Sequence, residues 1–183
     1  MTRSEALEAS LERFVGELQR WGARMNLVGS TQAEEIARHI EDSLAAAELL
    51  PQRARVVDLG SGAGFPGLPI ALARPDLQIV LVEIREKRVA FLRHVARELA
   101  PGVEVRASSI ETPDRDGFDF ALLRAVAKPE ASLELGLPWV KAGGEVWIWA
   151  GPGVELPGAA KTPLRSGGNI LRARAADFSR GTS

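Results

Sequence analysis

Apolar residues recur at helical spacing through the first fifty residues of the chain. Those of the first segment lie three or four residues apart, at Leu7, Leu11, Phe14, Val15 and Leu18. This spacing predicts a helix that ends near Trp21. A second helix is predicted to begin at Thr31, a suitable N-cap residue, and to stop before Pro51. We therefore interpret residues 1–50 as an N-terminal helical appendage.

From residue 51 onward the pattern changes to short apolar runs that alternate with helical stretches. Strands are predicted at residues 55–59, 78–83, 103–105, 118–123, 144–148 and 170–175. Helices are predicted at residues 68–73, along the face formed by Val89, Leu92, Ala96 and Leu99, and at residues 130–135. The alternation predicts an α/β fold over residues 51–183, a doubly wound and mostly parallel sheet covered on both faces. Gly and Pro crowd residues 151–168, where we expect an irregular loop.

The composition excludes several classes of protein. Lys and Arg number 23 against 24 Asp and Glu, and a net charge of −1 excludes a polycationic nucleic-acid wrapper. Cysteine is absent, which excludes disulfide scaffolds, thiolate zinc sites and cysteine nucleophiles, and no metal site is predicted. No apolar run approaches the roughly 20 residues that cross a bilayer, and the N-terminal residues lack a signal-peptide pattern. We expect a soluble, cytoplasmic, monomeric protein with no membrane partner.

A glycine-rich loop lies where the first predicted strand leads into the helix behind it. It begins at Asp58 and places Gly60, Gly62 and Gly64 at alternate positions. In doubly wound sheets, ligands bind outside the carboxyl ends of the strands, beside backbone N–H groups and helix N-termini. Glu83 ends the second strand, and one carboxylate there can accept hydrogen bonds from two vicinal ribose hydroxyls. The two features together predict a site for a ligand that contains adenosine.

Two classes of adenosine ligand fit this loop differently. The run that starts at Gly62 matches the G-x-G-x-x-G pattern of nicotinamide dinucleotide sites. Pro66 and Pro69, however, lack the N–H groups that a pyrophosphate needs there. Asp58 places a negative charge beside the loop, which suits an amino-acid ammonium better than a diphosphate. S-adenosylmethionine combines adenosine with an α-amino acid, and the loop with its second-strand acid resembles the cofactor site of class I methyltransferases, which have a Rossmann-like fold.

The absence of other motifs narrows the methyl acceptor. Methylation of an exocyclic base amine usually relies on an Asn/Asp-Pro-Pro-aromatic motif after the fourth strand, where residues 123–129 read LRAVAKP. The absence of cysteine removes the carbon methylation of pyrimidines that proceeds through a thiolate adduct. Ring nitrogens remain, and guanine N7 carries a lone pair and no proton, so its methylation needs no general base. Alignment of the nucleophile with the methyl group would carry most of the catalysis.

Five stretches of the chain are similar to the bacterial GidB-type family, also called ribosomal RNA small-subunit methyltransferase G. They are Trp21 with residues 25–28, Arg38-His39 with Asp42-Ser43, the loop from Asp58 to Pro69, residues 87–92, and Arg124 to Ala127. The resemblance covers the chain from about residue 21 to residue 149. It implies a class I methyltransferase that uses S-adenosylmethionine as cofactor and methylates guanine N7 in 16S rRNA, as free RNA or within the small ribosomal subunit.

Carried over residue by residue, the resemblance also implies a cofactor site. Gly60 and Phe65 contact the cofactor, Ser109 and Ile110 flank its adenine, and Arg124 completes the site. Together with the residues of the glycine loop and the second strand, the predicted cofactor-binding set is Asp58, Gly60, Gly62, Gly64, Phe65, Glu83, Ser109, Ile110 and Arg124.

A polar helical face supplies the candidates for catalysis. His39, Asp42 and Ser43 lie at i, i+3 and i+4, and therefore share one face of the second helix. Together with Arg124 they can orient the cofactor or the base. For His39, a hydrogen bond that serves helix packing is an equally good interpretation.

The predicted RNA surface lies in the tail, where basic residues outnumber acidic ones. Arg165, Arg172 and Arg174 are its candidates, since RNA binding needs local positive charge even when the net charge is near zero. Trp147 and Trp149 alternate on a predicted strand, and we expect them in the core rather than on a base-stacking surface.

Two positions depart from the pattern of the family. Ala150 follows the fifth strand, where relatives usually carry Lys-Gly, and Ser108 replaces the usual basic residue before Ser109. Two alternatives therefore stay open: an S-adenosylmethionine-dependent methyltransferase with another acceptor, and a non-catalytic ribosome-associated protein that binds the cofactor. A dinucleotide-dependent oxidoreductase is a more distant third.

Overall fold

The computed structural model describes residues 2–25, 33–114 and 117–178, and within these ranges helices cover both faces of one seven-stranded sheet. The helices are α1 (Arg3–Met25), α2 (Ala33–Leu49), α3 (Gly67–Ala73), α4 (Glu86–Leu99), α5 (Pro129–Gly136) and α6 (Ala175–Phe178). The strands are β1 (Arg55–Leu59), β2 (Gln78–Glu83), β3 (Glu104–Ala107), β4 (Phe118–Arg124), β5 (Val140–Ala150), β6 (Ala160–Pro163) and β7 (Asn169–Arg174). None of the described helices is long and apolar enough to cross a membrane.

The strand order confirms the predicted doubly wound sheet. It runs β3-β2-β1-β4-β5-β7-β6, with β1 to β5 parallel to one another and β7 antiparallel to both of its neighbours. The chain reverses its direction of travel across the sheet between β1 and β4. At such a switch point the loops behind neighbouring strands diverge and leave a crevice at the carboxyl ends.

The structure departs from the predicted elements most clearly in the first helix and in the Gly/Pro-rich segment. The first helix runs on to Met25, and the predicted N-cap Thr31 lies outside the described residues. The expectation of no regular structure within residues 151–168 is wrong, because β6 pairs with β7 through a turn in which Leu164 N donates to Gly168 O. The strand is short, lies at the sheet edge and ends at Pro163, where proline costs no ladder hydrogen bond.

Apolar side chains of the sheet divide between two clusters, one on each face. One cluster joins Phe14 of α1 and Ile36 of α2 to strand residues such as Val56 and Leu122, so α1 and α2 pack on the sheet. The other joins Leu133 of α5 to the opposite face. The boundary at residue 50 stays a prediction, since both N-terminal helices share a core cluster with the strands.

The alternation of side chains along the strands places four polar residues at one edge of the sheet. Each of them lies at the carboxyl end of a parallel strand, two positions beyond a buried residue of the face that α1 and α2 cover. They are Asp58 on β1, Glu83 on β2, Arg124 on β4 and Trp149 on β5. Successive side chains point to opposite faces, so these four lie on the same face. The sheet thereby gathers them at the carboxyl edge of the face that α1 and α2 cover.

Candidate active site

The glycine loop is fastened to the end of β2. The N–H groups of Gly60 and Ser61 both donate to the carbonyl of Val82, at 2.9 and 3.0 Å, and that of Gly62 donates to Glu83 Oε2 at 3.0 Å. These three N–H groups are therefore used within the protein and are not free to face a ligand, contrary to the general expectation for such loops. Contact of Gly60 and Gly62 with the cofactor stays a prediction.

Glycine is required at two points of this loop by its geometry. Gly64 has a φ of +93°, in the left-handed region, and a Cβ there would lie 2.4 Å from Leu68 Cδ1. A Cβ on Gly67 would lie 2.4 Å from Leu81 Cδ2 and 2.6 Å from Asp58 Oδ2. The backbone of the loop therefore packs directly against the end of β1 and the start of α3.

Asp58 is a buried carboxyl group with one unused oxygen. The residue is 1% exposed, its Oδ2 accepts the N–H of Gly67 at 3.0 Å, and its Oδ1 has no partner among the described residues. Burial raises the pKa of Asp58 to about 7, against the opposing effects of hydrogen bonds from the Gly67 backbone and Ser61. A cationic or hydrogen-bonding ligand group beside Oδ1 would stabilise the ionised form.

Glu83 lies at the predicted strand end, but its carboxylate binds backbone groups. Its Oε1 accepts the N–H groups of Ile84 and Arg85, both at 2.9 Å, in addition to the bond from Gly62 to Oε2. Arg88 Nη1 lies 3.7 Å from Oε2. A carboxylate offers about four acceptor positions, so Glu83 holds the loop and keeps limited capacity for ribose hydroxyls. Its role as a ribose acceptor stays a prediction.

Two further predicted cofactor contacts, Phe65 and Ile110, each lie against an aromatic side chain. Phe65 is buried, with its ring centroid 5.4 Å from that of Phe14 and 5.3 Å from that of His39. The carbonyl of Ile110, in the loop that follows β3, accepts the indole N–H of Trp139 at 2.6 Å. Sequence reasoning missed Trp139, because the contact spans 29 residues and no local pattern marks it.

A polar cluster joins α2 to the end of β4. Arg124 Nη2 donates to His39 Nδ1 and lies 3.5 Å from Asp42 Oδ2. Burial lowers the pKa of His39, and the neighbouring Arg124 charge lowers it further. A neutral His39 that accepts from Arg124 at Nδ1 carries its proton on Nε2, which lies 3.7 Å from Glu35 Oε1. The predicted convergence of His39, Asp42 and Arg124 is present in the structure.

Ser43 takes a different direction from its predicted partners. It is fully buried, and its hydroxyl donates to the carbonyl of His39 at 2.6 Å. This is a bond within α2, one turn back along the helix. Ser43 therefore supports the helix that carries His39 and Asp42.

A cavity of about 450 Å³ opens beside this cluster, and we call it the carboxyl-edge cavity. Its lining comes from α2, from the ends of β4 and β5, and from the turn between β6 and β7, and includes His39, Asp42, Arg124, Trp149, Leu164 and Ser166. Three of its lining residues carry a buried atom with no hydrogen-bond partner in the described part of the chain, namely Asp42 Oδ1, Arg124 Nη1 and Trp149 Nε1. Across the described ranges, no group of three or more His, Cys, Asp or Glu side chains is placed to hold a metal ion.

Trp149 was expected in the core, and only its neighbour Trp147 is fully buried there. Trp149 is partly buried and lines the cavity. Its register partner is Arg124, so the two side chains are neighbours on one face of the sheet.

The three predicted RNA-binding arginines separate into two places. Arg172 and Arg174 lie 3.2 and 3.1 Å from the carboxylate of Glu145, and Arg172 also stacks 4.8 Å from the Trp147 ring centroid. In the antiparallel register Arg174 faces Glu145, toward the amino end of the parallel strands. Arg165 is exposed in the turn whose residues line the carboxyl-edge cavity. Only Arg165 therefore lies beside the candidate active site.

Comparisons with known proteins agree with this architecture. The chain is 44% identical over 140 residues to the ribosomal RNA small subunit methyltransferase G of Mycobacterium leprae (strain TN), a match that covers 74% of this chain and 57% of that protein. It is 36% identical over 169 residues to the protein of the same name from Anaeromyxobacter dehalogenans, covering 86% of this chain and 78% of the relative. The chain thus spans a little over half the length of the mycobacterial relative.

A solved structure shows the same fold at low identity. It is an RNA methyltransferase from Salinibacter ruber in complex with S-adenosyl-L-homocysteine, with a TM-score of 0.57 and 20% identity over 74% of this chain and 89% of that chain. The sequence profile of the GidB family, described as rRNA small subunit methyltransferase G, matches residues 7–155. With most of its length inside that profile, and with the strand order and glycine loop of a class I methyltransferase, the chain belongs to the GidB family.

Proposed function

We propose that this protein transfers a methyl group from S-adenosylmethionine to N7 of a guanine in 16S rRNA. The observation that carries the proposal is the pairing of Asp58, a buried carboxyl group with an unused oxygen, with a polar cavity at the same edge of the sheet. Family membership supports it, because the relatives are named for methylation of small-subunit rRNA.

The residues present fit the cofactor. Asp58 Oδ1 is a buried acceptor that receives no hydrogen bond from the described residues, and the α-ammonium group of an amino acid is a suitable donor. Glu83 retains acceptor capacity at the end of β2, and Ser109 and Ile110 follow β3 at the same edge. When bound, S-adenosylmethionine supplies an electrophilic methyl group on a sulfonium ion. Asp58, Glu83 and the loop between them would hold it.

The protein groups near the cavity suit a reaction that needs no proton transfer. Guanine N7 carries a lone pair and no proton, so no base is required. The lowered pKa keeps His39 neutral, and its Nδ1 already accepts from Arg124. Ser43 donates within its own helix. The cluster of His39, Asp42 and Arg124 therefore acts by orienting the base, and catalysis rests on proximity and alignment.

The proposed partner is 16S rRNA, free or within the small ribosomal subunit. Arg38 and Arg165 are exposed residues at the cavity and in the turn beside it, and they can contact phosphates on either side of the target base. Arg172 and Arg174 remain candidates for a more distant RNA contact. We propose that the protein acts in the cytoplasm as a monomer.

Methyl transfer is tested with labelled S-adenosylmethionine and small ribosomal subunits from cells that lack this activity. The product nucleoside is identified by mass spectrometry, and 7-methylguanosine is expected. Asp58→Asn should abolish or strongly reduce transfer, whereas Glu155→Gln, an exposed acid-to-amide control paired with Lys161, should not. Another methylated nucleoside would establish a different acceptor. Cofactor binding without any transfer would favour the non-catalytic alternative.

A further inference from the structure

The carboxyl-edge cavity has room for a nucleotide base. Its volume of about 450 Å³ falls within the roughly 300–1,000 Å³ typical of small-molecule sites. Arg124 and Trp149 line it as neighbours on β4 and β5, and α2 contributes Asp42. A base that enters the cavity therefore meets a cation, an indole and a carboxylate.

Asp42 uses only part of its carboxylate within the protein. The residue is 5% exposed, and its Oδ2 lies 3.5 Å from Arg124 Nη2. Its Oδ1 is buried and has no hydrogen-bond partner among the described residues. A buried acceptor that is left unpaired is costly, and a ligand that donates to it removes the cost. The free oxygen of Asp42 thus favours a ligand with N–H groups.

Two unused donors belong to residues of the same cavity. Arg124 Nη1 and Trp149 Nε1 are buried, and neither has a hydrogen-bond partner within residues 2–25, 33–114 and 117–178. Both groups can only donate hydrogen bonds. A ligand that satisfies the whole set must therefore carry an acceptor as well as donors.

Guanine combines these features on adjoining atoms. Its O6 accepts hydrogen bonds, and its N1–H and N2 amino group donate along the Watson–Crick edge. Adenine presents a donor in place of O6 and a lone pair in place of N1–H, so its N1 would oppose the carboxylate. Hypoxanthine keeps O6 and N1–H but lacks the amino group.

We propose that Asp42 selects guanine, with its free oxygen accepting the N–H groups of the Watson–Crick edge while Arg124 and Trp149 donate to O6. This assignment rests on the proposed function, because it names the residue that recognises the base to be methylated. N7 is left without a hydrogen-bond partner in this arrangement. Its lone pair remains available for the methyl group.

Binding of mononucleotides to the full chain tests the assignment without methyl transfer. Saturation-transfer NMR is recorded with guanosine, inosine and adenosine 5′-monophosphates in saturating S-adenosylhomocysteine, which keeps adenosine out of the cofactor site. The wild-type protein should bind the guanosine nucleotide about tenfold or more tightly than the adenosine nucleotide, with the inosine nucleotide between them. Asp42→Asn should bring the three affinities together.

Glu41→Gln is the matched control, because it removes a carboxylate from an exposed position of α2, next to Asp42 and outside the lining of the cavity. It should leave the guanine preference intact. No binding of the guanosine nucleotide, equal binding of all three nucleotides by the wild type, or equal losses in Asp42→Asn and Glu41→Gln would each overturn the assignment. The comparison of the three nucleotides with the wild-type protein tests the assignment even if Asp42→Asn fails to fold. A guanine preference combined with no transfer to ribosomal subunits would retain the assignment and refute the proposed reaction.

Discussion

Binding of S-adenosylmethionine should release a proton from Asp58 at mildly acidic pH. Burial raises the pKa of this carboxyl group to about 7 in the free protein, and its Oδ1 has no partner in the part of the chain that the structure describes. An ammonium group placed beside that oxygen favours the ionised form and lowers the pKa. The change in protonation is then coupled to binding, and its size follows from the two pKa values.

With a pKa of about 7, about three quarters of Asp58 is protonated at pH 6.5 in the free protein. If the pKa in the complex falls near the ordinary value of about 4, roughly 0.7 proton is released on binding. The α-amino group of the ligand, with an ordinary pKa of about 8, is already protonated at this pH and contributes little. Affinity should therefore rise with pH toward about 7 and then level off.

Calorimetry at pH 6.5 in two buffers of different ionisation enthalpy measures the released protons directly. Asp58→Asn should eliminate the release, and Glu145→Gln, which alters another acid on the same face of the sheet, should preserve it. Proton uptake by the wild type, or equal release by wild type and Asp58→Asn, would refute the placement of the ammonium at Asp58.

The raised pKa of Asp58 also makes the stability of the free protein depend on pH. Because burial raises it, the stability that Asp58 contributes is present below about pH 4 and is lost as pH rises through about 7.

Three further predictions concern separate parts of the structure. Glu83→Ala should weaken S-adenosylmethionine binding by roughly 1–3 kcal/mol, because it frees the loop N–H and removes an acceptor for ribose; unchanged affinity in calorimetry would exclude Glu83 from the site. Ala125→Gly should raise the free energy of unfolding in urea by up to about 1 kcal/mol, since Ala125 has a φ of +53°, and a decrease would contradict the strain argument. Arg165→Gln should lower the salt dependence of RNA affinity by roughly one phosphate contact. Changing both Arg172 and Arg174 to Gln should lower it less, because these two arginines are paired with Glu145. A larger effect of the double change would place the RNA surface on β7.

Local sequence patterns were sufficient for the central strands and failed at the sheet edge. The apolar runs at residues 55–59 and 78–83 coincide with β1 and β2. Such runs are easy to identify because a strand buried on both faces consists mostly of consecutive apolar residues. Residues 160–163 carry a lysine and a proline and show no such run. These residues form β6 because they pair with the edge of β7 across a turn. The sequence of the segment alone does not indicate this pairing.

The candidate site shows the same division between local and tertiary information. Helical spacing correctly placed His39 and Asp42 on one face, because that face is fixed by the helix itself. The same spacing included Ser43, whose hydroxyl instead returns to the helix backbone. The participation of Trp149 depends on the register between β4 and β5, which joins residues 25 positions apart and cannot be taken from either strand alone.

Two tryptophans on β5 indicate that the unpaired atoms of this edge belong to a binding site. Trp147 and Trp149 are two residues apart and lie on the same face of the sheet. The indole N–H of Trp147 donates to Glu145 at 2.8 Å, so the fold satisfies a buried indole where no ligand is needed. At the carboxyl end no described residue pairs with the indole N–H of Trp149, with Asp42 Oδ1 or with Arg124 Nη1. Each such group costs roughly 1–3 kcal/mol, and that cost is recovered when a ligand with complementary donors and acceptors occupies the cavity.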